Sequence, residues 1–396
     1  MKNFNAVIRL DEFINKNIIS LDRGRVISSI DLNKKPGNHP VYSSSSQKNG
    51  LFGTFDEFDF DEELITWSVD GGGYFFYRPK HKFSVTNVSG ILRILDKSKL
   101  DYKFLYYLLD FQHSNQLYDY VDKAHPSIIK KRYFIPEIEI VEQKKIADIF
   151  SKIDKSISQT EIIIAKYNRI KTGLIQDLLT KGLDEKGKIR SEVTHEFKDS
   201  PLGRIPKDWD CLELRKCIEL HNNKRKPISA LERAKMIGEY PYYGATGIID
   251  KINIYNVEGE FVLFGEDGDH FLKWKKQEQT ILVNGKFNVS NHAHIVKGNH
   301  LCSTKWLHYF YFHRDITFYL TRQGAGRFKL NKESLSSLPI LVPKDINEQI
   351  RIIDKIEYLN NFINHHKIQN DKLQSTKTGL MQDLLSGKKR VTHLIN

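Results

Sequence analysis

EQKKIADIFSKIDKSISQTEIIIAKYNRIKTGLIQDLLT, residues 142–180, returns at residues 348–386 as EQIRIIDKIEYLNNFINHHKIQNDKLQSTKTGLMQDLLS. The offset is 206 at both ends, so no insertion or deletion separates the copies. Ile146, Phe150, Ile153, Ile157, Thr160, Ile164, Tyr167, Lys171, Leu174 and Leu178 step by alternating fours and threes. Ile352, Ile356, Leu359, Ile363, His366, Asn370, Leu373, Lys377, Leu380 and Leu384 repeat the pattern. That seam is narrow, sustained and free of proline, which predicts a long coiled-coil helix for each copy. About 40 residues at ~1.5 Å each make a helix of roughly 60 Å. The alternative is a pair of core helices in a larger bundle.

Polar breaks in the seam choose an orientation. Pairing Ile146 with Leu384 in antiparallel sense sets Thr160 opposite Asn370. A parallel pair sets Thr160 opposite His366 and stacks Lys171 on Lys377. Like charges in a seam repel, and a matched polar pair fixes register, so antiparallel is the expectation.

Outward from the helices, the chain divides into five parts. Residues 1–141 and 210–343 read as globular mixed α/β units; residues 142–181 and 344–396 hold the helices; residues 182–209 read as linker. Within the first unit, LITWSV (64–69) and YFFY (74–77) are strand-like around the turn at Asp70 and Gly71, and FLYYLLDF (104–111) is a short buried helix. The second unit echoes the first. HPVYSSSS from His39 matches YPYYGATG from Tyr240, the Asp70-Gly71 turn matches Asp267-Gly268 between strand-like FVLF and HFLKW, and KFSVTN from Lys82 matches KFNVSN from Lys286. These offsets are 201, 197 and 204, so the globular units have drifted while the helices have not. Retained helices with divergent units imply one job done twice by the helices and two different jobs for the units.

Composition narrows the function. Three cysteines, Cys211, Cys217 and Cys302, have no metal-ligand spacing and form no even disulfide set, which fits a reduced cytoplasmic setting. The opening MKNFNAVIRLDEF carries acids early, so no secretion signal is expected, and no apolar run is long enough for a membrane span. Net charge is +12, spread over globular units and helices alike, which leaves a polyanion partner and a solvated surface both open. GLDEKGKI from Gly182 is a near miss to a phosphate-binding loop; Ile189 stands where Ser or Thr is required. Glu266, Asp267 and Asp269 cluster near Lys273, but the first unit offers only Asp70 there, so a turn is the better reading. There is no Pro-Pro loop of an amino-methyltransferase, no dinucleotide fingerprint, and no zinc set around His292 and His294. The chain is expected to bind rather than catalyse.

Candidate DNA-binding residues are the polar side chains of matched loops. They are Ser44, Ser45, Gln47, Lys48 and Asn49 in one unit and Thr246 in the other, with the paired amides Asn87 and Asn291. Lys130, Lys131 and Arg132 lie late in the first unit, and Arg322, Gln323, Arg327 and Lys329 late in the second. Off the seam, Thr172, Gln176 and Asp177 recur as Thr378, Gln382 and Asp383, the candidate partner-binding face.

The paired segments from Glu142-Gln143 to KTGLIQDLLTKG and from Glu348-Gln349 to KTGLMQDLLSGK, with GRIPKDW at 203–209, resemble the DNA-specificity subunit of Type I restriction–modification enzymes. GNHPVYSSSSQKNGLFG and TWSVDGG in the first unit are similar too. The resemblance implies two target-recognition domains, each reading one half of a split double-stranded DNA site. It implies conserved helices packed antiparallel as a spacer that docks two methyltransferase subunits. S-adenosylmethionine, ATP and magnesium would then belong to the modification and restriction subunits, and this chain would hold no cofactor of its own. No copy of GRIPKDW precedes the first unit, a departure from the family pattern. Two other readings remain: a scaffold that binds proteins alone, and the specificity subunit of a fused nuclease-methyltransferase.

Overall fold

The structure, a computed structural model, describes every residue except 1–3, 5, 46, 71, 116–123, 324–326 and 395–396, and leaves aside the side chains of Gln323 and Arg327. It resolves into two compact units, residues 1–163 with 366–396, and residues 164–365. Long helices run over Ile140–Lys181 and Ile346–Leu385, so each helix begins in one unit and ends in the other. No position of the four-three seam is exposed in either helix, whereas most residues between them are. Among the described residues no helix is long and apolar enough to cross a membrane.

The first unit is built on a six-stranded sheet. Its order is Ile19–Arg23, Ser89–Ile94, Phe60–Ser68, Phe75–Val85, His39–Tyr42, Leu51–Phe55. All neighbours are antiparallel except His39–Tyr42 beside Phe75–Val85. The helix Tyr102–Ser114 starts at Asp101, whose carboxylate accepts from the Phe104 N–H at 2.9 Å. It buries Phe104, Leu105, Leu108 and Leu109 against Trp67, Phe75, Leu92 and Ile94 of the sheet. Ile146, Ala147 and Phe150 from the start of the first long helix enter the same core, with Leu384 and Leu385 from the end of the second. Each such Leu or Phe contributes about 1.5–3 kcal/mol by leaving water. Asp154 accepts from Lys377 at 2.7 Å on the same two helix segments.

The second unit carries two four-stranded sheets. One orders Ile218–Leu220, Ala293–Gly298, Phe261–Gly265, Thr280–Val283; the other orders Ile248–Ile252, Ile237–Tyr243, Lys286–Val289, Val257–Glu258. The helix Thr304–Tyr311 is capped by Ser303 and packs Trp306 against Trp209. Leu178 and Leu179 from the end of the first long helix join this core with Ile352, Ile353 and Ile356 from the start of the second. Tyr167 and Phe362 meet ring to ring, with centroids 4.5 Å apart. HFLKW, expected as a strand, instead forms the 3-10 turn Asp269–Lys273. His270 and Phe271 turn inward while Leu272 and Lys273 are exposed, a pattern that strand alternation does not give.

The repeated Glu-Gln pair explains how each helix is set on its unit. Gln143 accepts from the Asp101 N–H at 3.0 Å and donates to the carbonyls of Lys99 and Ile138. Gln349 does the same for Ser303, Leu301 and Pro343. Glu142 is 2% exposed and accepts two bonds from Arg390, which holds its carboxyl below the ordinary range. Glu348, also 2% exposed, accepts from Arg190, the Leu183 N–H and the Trp209 indole N–H. GLDEKGKI is therefore a clasp: Leu183 pairs with Ile189 and delivers Arg190 to Glu348. Gly182 has φ +66°, and a Cβ there would lie 2.3 Å from Glu348 Oε1, so only glycine fits.

Candidate nucleic-acid interface

Both units present a loop from the same strand frame. In the first, Tyr42 runs parallel to Val85, the Thr86 N–H donates to the Tyr42 carbonyl, and the Ser43 N–H closes the loop on the Gly50 carbonyl at 2.8 Å. In the second, Tyr243 runs parallel to Val289, the Ser290 N–H donates to the Tyr243 carbonyl, and the Gly244 N–H closes on the Gly247 carbonyl at 2.8 Å. What differs is the content between the closures: SSSSQKNG against GATG.

In the first loop, Ser45, Gln47, Lys48 and Asn49 are exposed and Ser44 is half-buried. Ser46 lies outside the described residues. The Ser44 carbonyl accepts from the Ser68 hydroxyl, and Ser45 Oγ accepts from the Gln47 N–H. Lys48 and Asn49 are both left-handed, with φ +48° and +55°. Such backbone costs an ordinary residue of order 1–3 kcal/mol and persists only where the surroundings impose it. The Thr86 hydroxyl donates to Ser43 Oγ, and the Val69 N–H donates to the Val88 carbonyl. These bonds gather the loop, the turn after Ser68 and the segment around Asn87 at one end of the sheet. Gly71 of that turn lies outside the described residues. Asn87 is half-buried, and its carbonyl accepts from Arg23. Lys130, Lys131 and Arg132 form the last turn of the helix Pro126–Arg132, where cations complement the helix dipole.

Beneath the first loop lies Arg78, which the sequence reading did not single out. It is 1% exposed. Nε donates to the Thr66 hydroxyl at 3.0 Å and Nη1 to the Asn49 carbonyl at 2.9 Å. Its guanidinium carbon stands 3.6 Å from the Tyr42 ring centre and 4.9 Å from that of Phe76. Nη2 has no hydrogen-bond partner, and burial pushes the group down to about 10.

The second loop exposes Thr246. Asn291 is exposed, and its carbonyl accepts from Arg225 at 3.3 Å. Arg225 also pairs with Glu266 at 2.5 Å, and Lys329 approaches the same carboxylate at 3.4 Å. Asp267 faces the His292 ring at 2.9 Å. Glu266 is thus engaged by two cations, and among the described residues no three His, Cys, Asp or Glu side chains are placed to hold a metal ion. This network brings Asn291 and Lys329 together. Arg322 is exposed on the strand Thr321–Gln323, which pairs with Arg327–Lys329, and its guanidinium lies 5.2 Å from the Phe328 ring centre. Both strands are described, but the Gln323 and Arg327 side chains lie outside the described residues.

On the helices, Thr172, Gln176, Thr378 and Gln382 are exposed. Asp177 pairs with Lys181 at 2.8 Å, and Asp383 with Lys389 at 2.8 Å. Asp177 is thus paired within its own helix, and Asp383 with lysines just past the end of its own.

A family model described as "Type I restriction modification DNA specificity domain" matches residues 2–169 and again 206–375. A putative type I specificity subunit of Mycoplasma pneumoniae is 35% identical over 160 residues, covering 39% of this chain and 51% of that one. The type I restriction enzyme MjaVIII specificity subunit of Methanocaldococcus jannaschii is 22% identical over 403 residues, covering 90% and 88%. The first of these matches spans about half the length of the relative concerned. The crystal structure of a Type I restriction–modification system S subunit from M. genitalium superposes with a TM-score of 0.65 at 16% identity, covering 96% of each chain, which is a likeness of fold.

Proposed function

The chain belongs to the family of the Type I restriction modification DNA specificity domain, and from that membership we propose that it is the non-catalytic DNA-reading subunit of a restriction–modification complex. Each unit reads one half of a bipartite double-stranded site. The observation that carries this reading is the pair of loops: one strand frame and one closing bond, used twice, around unlike sequences. A frame held constant while its contents vary is what two readers of two different half-sites require. Exposed Gln47, Lys48, Asn49 and Thr246 carry the amide, ammonium and hydroxyl groups that suit base edges and phosphates.

The long helices serve as an antiparallel coiled-coil spacer. Supporting this are the seam, none of whose positions is exposed, and the contacts Asp154 with Lys377 and Tyr167 with Phe362, which reverse in order along the two helices. Thr172, Gln176 and Asp177, with Thr378, Gln382 and Asp383, dock two methyltransferase subunits, one for each copy of the face. Methyl transfer belongs to those partners, and cleavage to separate restriction subunits.

Methylome sequencing of a host with this gene intact and disrupted tests the function. A methylated motif of two specified halves around an unspecified gap should vanish on disruption. Retention of every methylated motif would rule the reading out.

A further inference from the structure

Arg78 is out of place as ordinary core. Among the described residues no carboxylate lies within ion-pair distance of it, although it is 1% exposed. Removing a guanidinium from water without a counterion is unfavourable unless its donors and its ring contacts replace what water gave. Here Thr66, Tyr42 and Phe76 fix the group from the sheet, and Nη1 is spent on one loop atom, the Asn49 carbonyl. That carbonyl belongs to the second of two consecutive left-handed residues. Next in sequence is Gly50, with φ +77°, where a Cβ would lie 3.0 Å from Nη2. The guanidinium is packed directly under the turn, close enough to require glycine above it.

The second unit shows what happens without this anchor. Arg78 stands opposite Leu64 in its strand pair, and the equivalent pair in the second unit is Phe261 with Val283. Valine takes the position, the loop above shrinks to Gly244–Gly247 by closing bond, and the only positive φ in it falls on Gly247. The buried arginine and the long left-handed loop occur together and are replaced together.

We infer that Arg78 is the positioning residue for base discrimination in the first half-site: it ties the Lys48–Asn49 turn to the sheet, so that Gln47, Lys48 and Asn49 meet the DNA in one fixed arrangement. This rests on the DNA-reading role proposed above. Arg78 itself touches no base. A turn released from its anchor keeps the same side chains and the same charge outside, so it still meets DNA, but it no longer rejects wrong bases.

The test uses the full chain in its host, with Arg78→Met and Arg78→Lys read by methylome sequencing and by thermal melting of the purified chain. Arg78→Met should raise methylation at sites with one wrong base in the first half by about 10-fold, the size of one lost base contact, with the second half as strict as before. Arg78→Lys, which keeps the charge and loses the fork, should relax the first half to a smaller degree; it is the variant read if Arg78→Met does not accumulate. A purely structural role predicts methylation reduced at all sites with both halves equally strict, and that result overturns the inference, as does an unchanged motif. Gln47→Ala with Asn49→Ala separates the two levels: if that pair leaves the first half unchanged, the loop does not read DNA and the functional reading itself has failed.

Discussion

Arg390 donates two hydrogen bonds to the Glu142 carboxylate across 248 residues of sequence. Arg190 does the same for Glu348 across 158. An arginine past the end of one long helix thus closes on a glutamate in the first turn of the other, once in each unit. Arg390→Ala leaves a carboxylate that is 2% exposed with little more than the Val391 N–H, and should cost about 2 kcal/mol. Arg190→Ala, where the arginine is itself 11% exposed, should cost about 3 kcal/mol. Hydrogen exchange should show protection falling in the unit that lost its clasp. Unaltered exchange in both variants would mean that the pairs are ornamental.

The second unit should weaken in mild acid because of His308. That ring is 7% exposed, lies 3.0 Å from the Thr280 hydroxyl, and is pushed down to about 4 by burial, then by the nearby charges of His313 and Lys171. Unfolded, it returns to its ordinary 6.5. The folded value is the lower, so the unfolded chain takes the proton first as pH falls. The contribution is whole above pH 6.5 and declines toward pH 4, by up to about 3 kcal/mol. Denaturant melts from pH 7 to 4.5 should show that slope in the native chain and a flatter one in His308→Gln.

The repeated helix face should set the stoichiometry of the complex. Gln176→Arg and Gln382→Arg place a bulky charge on exposed positions of equivalent faces. Each alone should remove one modification subunit, and both together should remove two. Native mass spectrometry of the complex reads this directly; a single variant that loses both partners would show that the faces do not act independently.

Much of this architecture is legible in the sequence, and the parts that are not share a cause. The four-three seam announces the helices because burial repeats at helical period, and Leu178 and Leu384 are buried as that period requires. The offsets of 201 and 204 between loop and strand echoes reappear as the parallel pairs Tyr42 with Val85 and Tyr243 with Val289. Glu142 and Gln143 were visible as repeats, yet their work was not, because Arg390 and Asp101 are brought to them by tertiary folding. HFLKW reads as a strand by propensity and is overruled by the inward turn of His270 and Phe271. Arg78 gives no signal at all: FFYRPKHKF looks like an edge strand with solvent-facing cations, and only the loop folded above it makes it interior.

Helix length should set the gap between half-sites. A heptad inserted in both helices, near Thr160 and near Asn370, preserves the seam and adds ~10 Å. At ~3.4 Å per base pair that is about three more unread positions. Methylome mapping of the doubly inserted chain should return both half-sites unchanged around a longer gap. Full methylation at the original gap would show that the helices do not measure it.

The central claim is that the two units read independently, and domain exchange tests it most directly. Residues 1–141 are replaced by the corresponding segment of another family member of known motif, leaving residues 142–396 untouched. Methylome sequencing of the host should then report the donor's first half-site joined to this chain's own second half-site. A motif in which both halves change together would contradict the account.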